Sequence, residues 1–231
     1  MVKVLIADDN FHFIKGIINS IISKISEVKV DYVATNGKEA LEMLAQKSFD
    51  LVFLDLQMPT LNGIEVLRKV EELNLLKTPK FLIITGDLQL VSELRENKNV
   101  CNVILKSENE ENITRKIKEV IDDINYETNL IDAKSKVVSE VCDMGYNIKL
   151  VGTKYLIEAI MYIYESNNLS LVDNLEKNVY KVIAYRHKKT IVNVKTNISK
   201  STRTMYGTNT KSTPKNVINN VLAKVSDNLI Y

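Results

Sequence analysis

The sequence predicts an α/β doubly wound five-stranded parallel sheet followed by an all-α domain. Three observations predict it. Short apolar runs alternate with helical patterns five times before residue 126. After residue 130 apolar residues recur at helical spacing. The charge changes sign near the same place. Residues 1–126 hold 16 Lys plus Arg against 20 Asp plus Glu, a net −4; residues 127–231 hold 15 against 9, a net +6. Two domains with different partners are expected, at 1–126 and 130–231.

The elements follow in order. Val2–Ala7 is a strand broken by Asp8-Asp9-Asn10, and Phe11, Ile14, Ile18, Ile21, Ile22 and Ile25 trace a helix. Val28–Ala34 is the second strand. After the Asn36-Gly37 turn, Ala40, Leu41 and Leu44 mark a helix. Leu51–Leu54 is apolar throughout, as a strand covered on both faces must be, and it stops at Asp55. Gly63–Leu73 reads as a helix, Phe81–Ile84 as a strand ending in Thr85-Gly86-Asp87, and Leu88–Glu96 as a short helix. Cys101–Leu105 is the fifth strand and ends at Lys106. The next helix is expected over 107–126, with Ser107 and Glu110 as a capping box. Parallel strands joined this way need right-handed crossovers.

The chemistry lies at the strand ends. Asp8 and Asp9 follow strand one, Asp55 ends strand three, Thr85 strand four and Lys106 strand five. Ligands bind at the carboxyl ends of such strands, so these residues are expected to converge. Any one of them alone reads as a helix cap, a turn residue or a solvated lysine; together they read as a site. Three neighbouring carboxylates repel one another and call for a cation. Oxygen ligands suit Mg²⁺ (or Mn²⁺), which accepts phosphate oxygens. Asp55 can act as a nucleophile and form an aspartyl-phosphate. The ion and Lys106 would neutralise charge in the transition state, and Thr85 would donate to the product phosphate.

On Asp8-Asp9, the run Leu54 to Pro59, Gly63, Thr85-Gly86 and Lys106, residues 1–126 resemble the receiver domain of two-component response regulators, a flavodoxin-like fold. The resemblance implies that Asp55 accepts phosphate from a sensor histidine kinase or phosphotransfer protein. It implies that Asp9 and Asp55, with the Gln57 backbone carbonyl, hold Mg²⁺ directly, that Asp8 acts through water, and that Thr85 and Lys106 grip the phosphate. Two positions depart from the pattern. Ser107 stands where receivers carry proline, and Val103 where they carry an aromatic that turns inward with the threonine.

Beyond a short joint at 127–132, helices are expected from Leu130 to Gly145, over Thr153–Glu165, over Glu176–Lys188, over Thr190–Tyr206 and over Val217–Leu229, with Pro214 in a first turn. Ile148–Val151 is the one brief strand pattern, and Gly207–Thr213 a polar loop. The helices 176–188 and 190–206, joined by about three residues, form a helix-turn-helix pattern whose second helix suits a major groove. On that helix Ile191, Val194, Ile198 and Met205 share one side. Asn193, Thr196, Lys200 and Arg203 lie opposite, flanked by Ser199 and Asn197, as readers of bases and phosphates. Lys188, Lys189, Lys195, Lys211 and Lys215 are candidate phosphate contacts. From Lys177 to Ser226 there are eleven Lys or Arg and no acid.

On Met144-Gly145-Tyr146, Gly152 to Ile160, Leu175 to Lys188, Thr213-Pro214-Lys215 and the last helix, residues 130–230 resemble the effector domain of the sporulation response regulators of spore-forming Firmicutes. That resemblance implies a phosphorylation-controlled transcription factor that dimerises on double-stranded DNA. The family's recognition helix is rich in arginine; here Arg203 stands alone. The alternative is a helical half that binds a protein partner. An enzymatic output is not expected, since the second half offers no carboxylate pair, metal cluster or Gly-rich loop. Cys101 and Cys142 match no metal spacing and suit a reducing compartment. No run approaches the ~20 apolar residues of a membrane span, so a cytoplasmic protein with no membrane partner is expected.

Overall fold

In the computed structural model, which describes residues 1–73, 75–87, 89–94, 97–204 and 212–226, the chain divides into two units, Met1–Glu127 and Thr128–Tyr231. The first is built on five parallel strands: β1 (Val2–Ala7), β2 (Val28–Ala34), β3 (Leu51–Leu54), β4 (Lys80–Thr85) and β5 (Val100–Leu105). Their order is β2-β1-β3-β4-β5, so the connections change direction beside β1. Central β3 is buried at every residue, whereas edge strand β2 is mostly half-buried. That difference is why β3 is uniformly apolar. On one face lie α1 (Phe11–Ser20) and the start of α4 (Glu110–Asp143), through Ile14, Ile17, Ile113, Ile117 and Ile121. On the other lie α2 (Gly37–Gln46) and α3 (Gly63–Glu72), through Ala40, Leu44, Val66, Leu67 and Val70.

Local chemistry sets the helix starts. Asn10, Asn36 and Asn62 each accept a backbone N–H from the third residue onward, and Asn62 with Glu65 completes a capping box. Several expectations are corrected here. Ser107 does not cap: the helix starts at Glu110, and Asn109 accepts from the Asn112 amide at 2.9 Å. The helix does not stop near 126. It continues to Asp143, because 127–132 holds no proline or glycine to end it. The helix of Phe11 ends at Ser20, and Ile22–Lys24 is a 3₁₀ turn. In place of a helix over 88–96 there is a 3₁₀ turn at Leu90–Leu94; Leu88, Arg95 and Glu96 lie outside the described residues.

The second unit is helical among its described residues: the end of α4, then α5 (Val151–Ser166), α6 (Lys181–Arg186), α7 (Ile191–Arg203) and α8 (Pro214–Ser226). The strand expected at 148–151 is a turn leading into α5, which begins at Val151. The segment before α6 winds as a π-turn at Glu176–Tyr180, preceded by a 3₁₀ turn at Leu169–Asn174. Met205, Tyr206, Lys211, most of the polar loop and Leu229 lie outside the described residues. The core joins Val137, Val141, Leu156, Ile160, Ile183, Val194, Ile198, Ile218 and Val221. Among the described residues no helix is long and apolar enough to cross a membrane.

Gly152 lets α5 and α7 meet. A Cβ there would lie 2.0 Å from the Asn197 carbonyl oxygen and 2.4 Å from Ser201 Oγ. Backbone cannot yield as a flexible side chain can, so Gly152→Ala is expected to destabilise the helical unit by at least about 1–3 kcal/mol. Denaturant unfolding followed by helical circular dichroism checks this, with Gly16→Ala, where a Cβ meets nothing within 4 Å, as the control.

Candidate functional site

The change of direction beside β1 leaves a crevice at the carboxyl ends of β1 and β3. Asp8 and Asp55 stand there, each only 3% exposed. Asp9 is exposed beside them, and one oxygen from each of the three carboxylates lies within 4.8 Å of the others. Lys106 reaches in from the end of β5, past the end of β4. Its Nζ is 2.6 Å from Asp55 Oδ2 and 2.8 Å from Asp8 Oδ2. The remaining oxygens take backbone donors: the Asn10 amide to Asp8 Oδ1 at 2.8 Å, and the Gln57 amide to Asp55 Oδ1 at 3.1 Å. Neither aspartate caps α1; Asn10 does.

Burial pushes the Asp8 carboxyl above its usual range, and the hydrogen bonds from Lys106 and Asn10 only partly offset this. Burial also works against the Lys106 ammonium, but its hydrogen bonds to Asp55 and Asp8 outweigh that and raise its pKa. One cation therefore serves two sheltered carboxylates, with a third acid at the rim. The donor set is all oxygen, which fits a hard divalent ion. Gly63 packs the loop after β3 against the phosphoacceptor candidate: a Cβ there would lie 2.3 Å from the Asp55 carbonyl oxygen. The Gly63 amide donates to the Leu56 carbonyl.

The other strand-end residues are placed as follows. Thr85 is fully buried, and its Oγ1 accepts from the Asp87 amide at 3.1 Å. Gln57 is exposed, with its amide nitrogen 3.5 Å from Asp87 Oδ2. Val103 is half-buried against the core on the α2–α3 face. Sequence reasoning passed over Phe13, whose ring lies 5.0 Å from Lys106 Nζ. Its position in the first turn after the acid pair was the available signal.

In the helical unit Thr190 caps α7 by accepting from the Asn193 amide. Asn193, Thr196, Lys200 and Arg203 are exposed on α7, while Asn197 and Ser199 are half-buried. Asn197 is held by its own helix, its Nδ2 donating to the Asn193 carbonyl at 2.9 Å. The basic stretch is partly balanced by acids from outside it: Glu140 pairs with Lys224, Glu158 with Arg186, Asp173 with Lys215 and Glu176 with Lys195. Lys195 and Lys215 are thus engaged. Lys188, Lys189, Lys200 and Arg203 have no ion-pair partner among the described residues, and all four are exposed.

The elbow before α7 is strained. Lys188 has φ 52°, with its amide donating to the Tyr185 carbonyl and that of Lys189 to the Ala184 carbonyl. This left-handed closure of a helix normally falls to glycine or asparagine. The same unit uses those residues elsewhere, with Gly145 after α4 and Asn167 after α5. For lysine the conformation costs about 1–2 kcal/mol.

Asp8 carries a stability consequence. Below its unfolded value of 3.8 the carboxyl is protonated in both states; as pH rises through the raised folded value, ionising the buried group takes stability away. Asp8→Asn is therefore expected to melt higher than the native chain at neutral pH without divalent ions, an advantage that shrinks as pH falls toward 4. Thermal melts across pH check this, and an equal or lower Tm at neutral pH would contradict it.

Residues 4–118 match the family described as "Response regulator receiver domain", and residues 137–228 match "Sporulation initiation factor Spo0A C terminal". A protein-glutamate methylesterase/protein-glutamine glutaminase 1 of Methanospirillum hungatei is 32% identical over 86 residues, which are 37% of this chain and 24% of that protein. The chain therefore spans 24% of that curated relative's length. Among solved structures, the REC domain of AraT, a response regulator from Geobacillus stearothermophilus, is similar at 28% identity and a TM-score of 0.50. That likeness covers 55% of this chain and 98% of that one. The acid pocket lies inside the first family match and the basic helix pair inside the second, and so the chain belongs to the response regulators that join a receiver domain to a sporulation initiation factor C-terminal domain.

Proposed function

We propose that the chain is a phosphorylation-controlled transcription regulator with a receiver at 1–126 and a DNA-binding effector at 130–231. The observation that carries this reading is the Lys106 ammonium set between Asp55 and Asp8. An Asp55 oxygen attacks the phosphorus of a phosphohistidine on a sensor kinase or phosphotransfer protein. The phosphorus–nitrogen bond breaks, and the imidazole leaves with its electron pair and takes up a proton. Lys106 faces the oxygens on which charge develops. Thr85 turns its hydroxyl from the Asp87 amide to the phosphate. Asp9, Asp55 and the Gln57 carbonyl would hold Mg²⁺ or Mn²⁺ directly and Asp8 through water; the ion supplies further neutralisation of the phosphoryl oxygens.

On the output side Lys188, Lys189, Lys200 and Arg203 face phosphates of duplex DNA, and Asn193, Thr196, Asn197 and Ser199 offer groups for base edges. Phosphorylation shifts the receiver toward a self-associating state, through the face around β5, and pairs two effector units on DNA. The setting is the cytoplasm and the programme sporulation or a related development.

Two outcomes test this. Asp55→Asn is expected to take up no label from a small phosphodonor with Mg²⁺, while the native chain does; label on the variant would displace the phosphoacceptor. Lys200→Ala with Arg203→Ala is expected to weaken gel shifts of duplex DNA and to lower the log–log salt slope by about two, roughly 0.9 per phosphate contact. No shift at low salt, phosphorylated or not, would favour a protein partner instead.

A further inference from the structure

The strained elbow between α6 and α7 is held from one side. Tyr155, Glu158 and Tyr162 are three and four residues apart on α5, which sets them on one face of that helix. They take hold of two consecutive residues at the end of α6. His187 Nε2 lies 2.6 Å from Glu158 Oε2, and its ring is 5.0 Å from the Tyr155 ring. Arg186 Nη1 donates to Glu158 Oε1 at 3.2 Å, and its guanidinium lies 5.6 Å from the Tyr162 ring centroid. Each of the two side chains thus meets an aromatic ring and the same carboxylate. The Glu158 side chain is 25% exposed, while those of Arg186 and His187 are 49% and 43% exposed, so the carboxylate is the more sheltered partner of each pair. The next residue is Lys188, in the left-handed conformation that glycine would adopt at little cost.

From this geometry we infer that Glu158 is a positioning residue for nucleic-acid binding. It clamps the α6–α7 elbow so that Lys188, held in a conformation a lysine does not favour, presents its ammonium to a DNA phosphate. The inference rests on the reading of the helical unit as a DNA binder. Strain at one residue persists where its surroundings over-determine it, and such sites are where function concentrates. Here the surroundings are the four contacts at Arg186 and His187. The use is the ammonium of Lys188, which, like that of Lys189, has no ion-pair partner among the described residues, whereas Arg186, Lys195 and Lys215 do.

Two explanations of Glu158 predict opposite signs. If it is only an acid on a basic surface, removing it adds positive potential and tightens DNA binding. If it is a clamp, removing it loosens the elbow and weakens binding. The test uses the full chain, a random-sequence duplex and a salt series, with Glu158→Ala, Glu158→Gln, Lys188→Gly and the double variant Glu158→Ala/Lys188→Gly. Glu158→Ala is expected to weaken binding and lower the salt slope by about one, the signature of one lost phosphate contact. Glu158→Gln keeps an acceptor and falls between the native chain and Glu158→Ala. Lys188→Gly raises the Tm yet weakens binding, and adding Glu158→Ala to it changes affinity no further, because glycine holds the elbow unaided. In the free protein, Glu158→Ala speeds hydrogen exchange at the Lys188 and Lys189 amides.

Binding that is unchanged or tighter in Glu158→Ala overturns the inference. So does the same fold loss with and without Lys188→Gly, or unaltered exchange at the elbow. If the native chain fails to bind duplex DNA at low salt, the DNA reading itself falls and the clamp's purpose with it. Loss confined to the Glu158 variants leaves that reading standing.

Discussion

One ammonium between two sheltered carboxylates is the constraint on which the first unit depends. Lys106 reaches Asp55 at 2.6 Å and Asp8 at 2.8 Å, and both acids are almost fully buried. Removing the shared cation costs about 3–5 kcal/mol, the usual cost of leaving a buried charge without its partner, because both acids then lose their compensation. The fold is arranged to meet that demand. β1 and β3 lie side by side, so their terminal acids share a crevice. β5 lies two strands from β3, a span that the long lysine stem crosses. Gly63 brings the start of α3 against the backbone of Asp55 with no room for a side chain. On the proposed function, a phosphoryl group on Asp55 would change the charge that Lys106 balances, which would make the same contact the natural place for a switch.

The helical unit shows a second use of local cost. Gly152 allows α5 to meet α7 at backbone distance, and further along α5 Glu158 and its flanking tyrosines meet the end of α6. Acids from α4, α5 and the turns before α6 neutralise part of the basic stretch. They leave Lys177, Lys181, Lys188, Lys189, Lys200 and Arg203 without an ion-pair partner among the described residues. A basic surface of this kind is an arrangement of pairings as much as a count of lysines. Lys195 and Lys215 lie in the same stretch and are spoken for.

Much of this was legible in the sequence because strand ends are local events. An apolar run that stops at Asp8, Asp55, Thr85 or Lys106 marks both the strand and its polar terminus, and parallel topology then brings the termini of β1, β3 and β5 together. Where competing local signals were close in strength, the sequence misled. Ser107 and Asn109 can both cap a helix, and it is Asn109 that accepts from the first turn. Ile148 to Val151 has strand-like composition but lacks a neighbouring strand, so it turns into α5 instead. The 127–132 segment is a short joint with no Pro/Gly/Ser linker, which suits a helix that runs almost directly into the next domain, and α4 does run through it. The elbow clamp could not be read at all. It joins Glu158 to Arg186 and His187 across 28 and 29 positions, and the left-handed Lys188 has no sequence signature, since lysine is not the residue expected there.

The central claim is that charge at Asp55 governs the DNA-binding half. The most direct measurement compares duplex-DNA affinity and oligomeric state of the full chain with and without a beryllofluoride adduct and Mg²⁺, which mimics the aspartyl-phosphate without turnover. The account predicts a shift from monomer to dimer together with tighter binding, both absent in Asp55→Asn. Equal affinity and unchanged mass in the two states would contradict it.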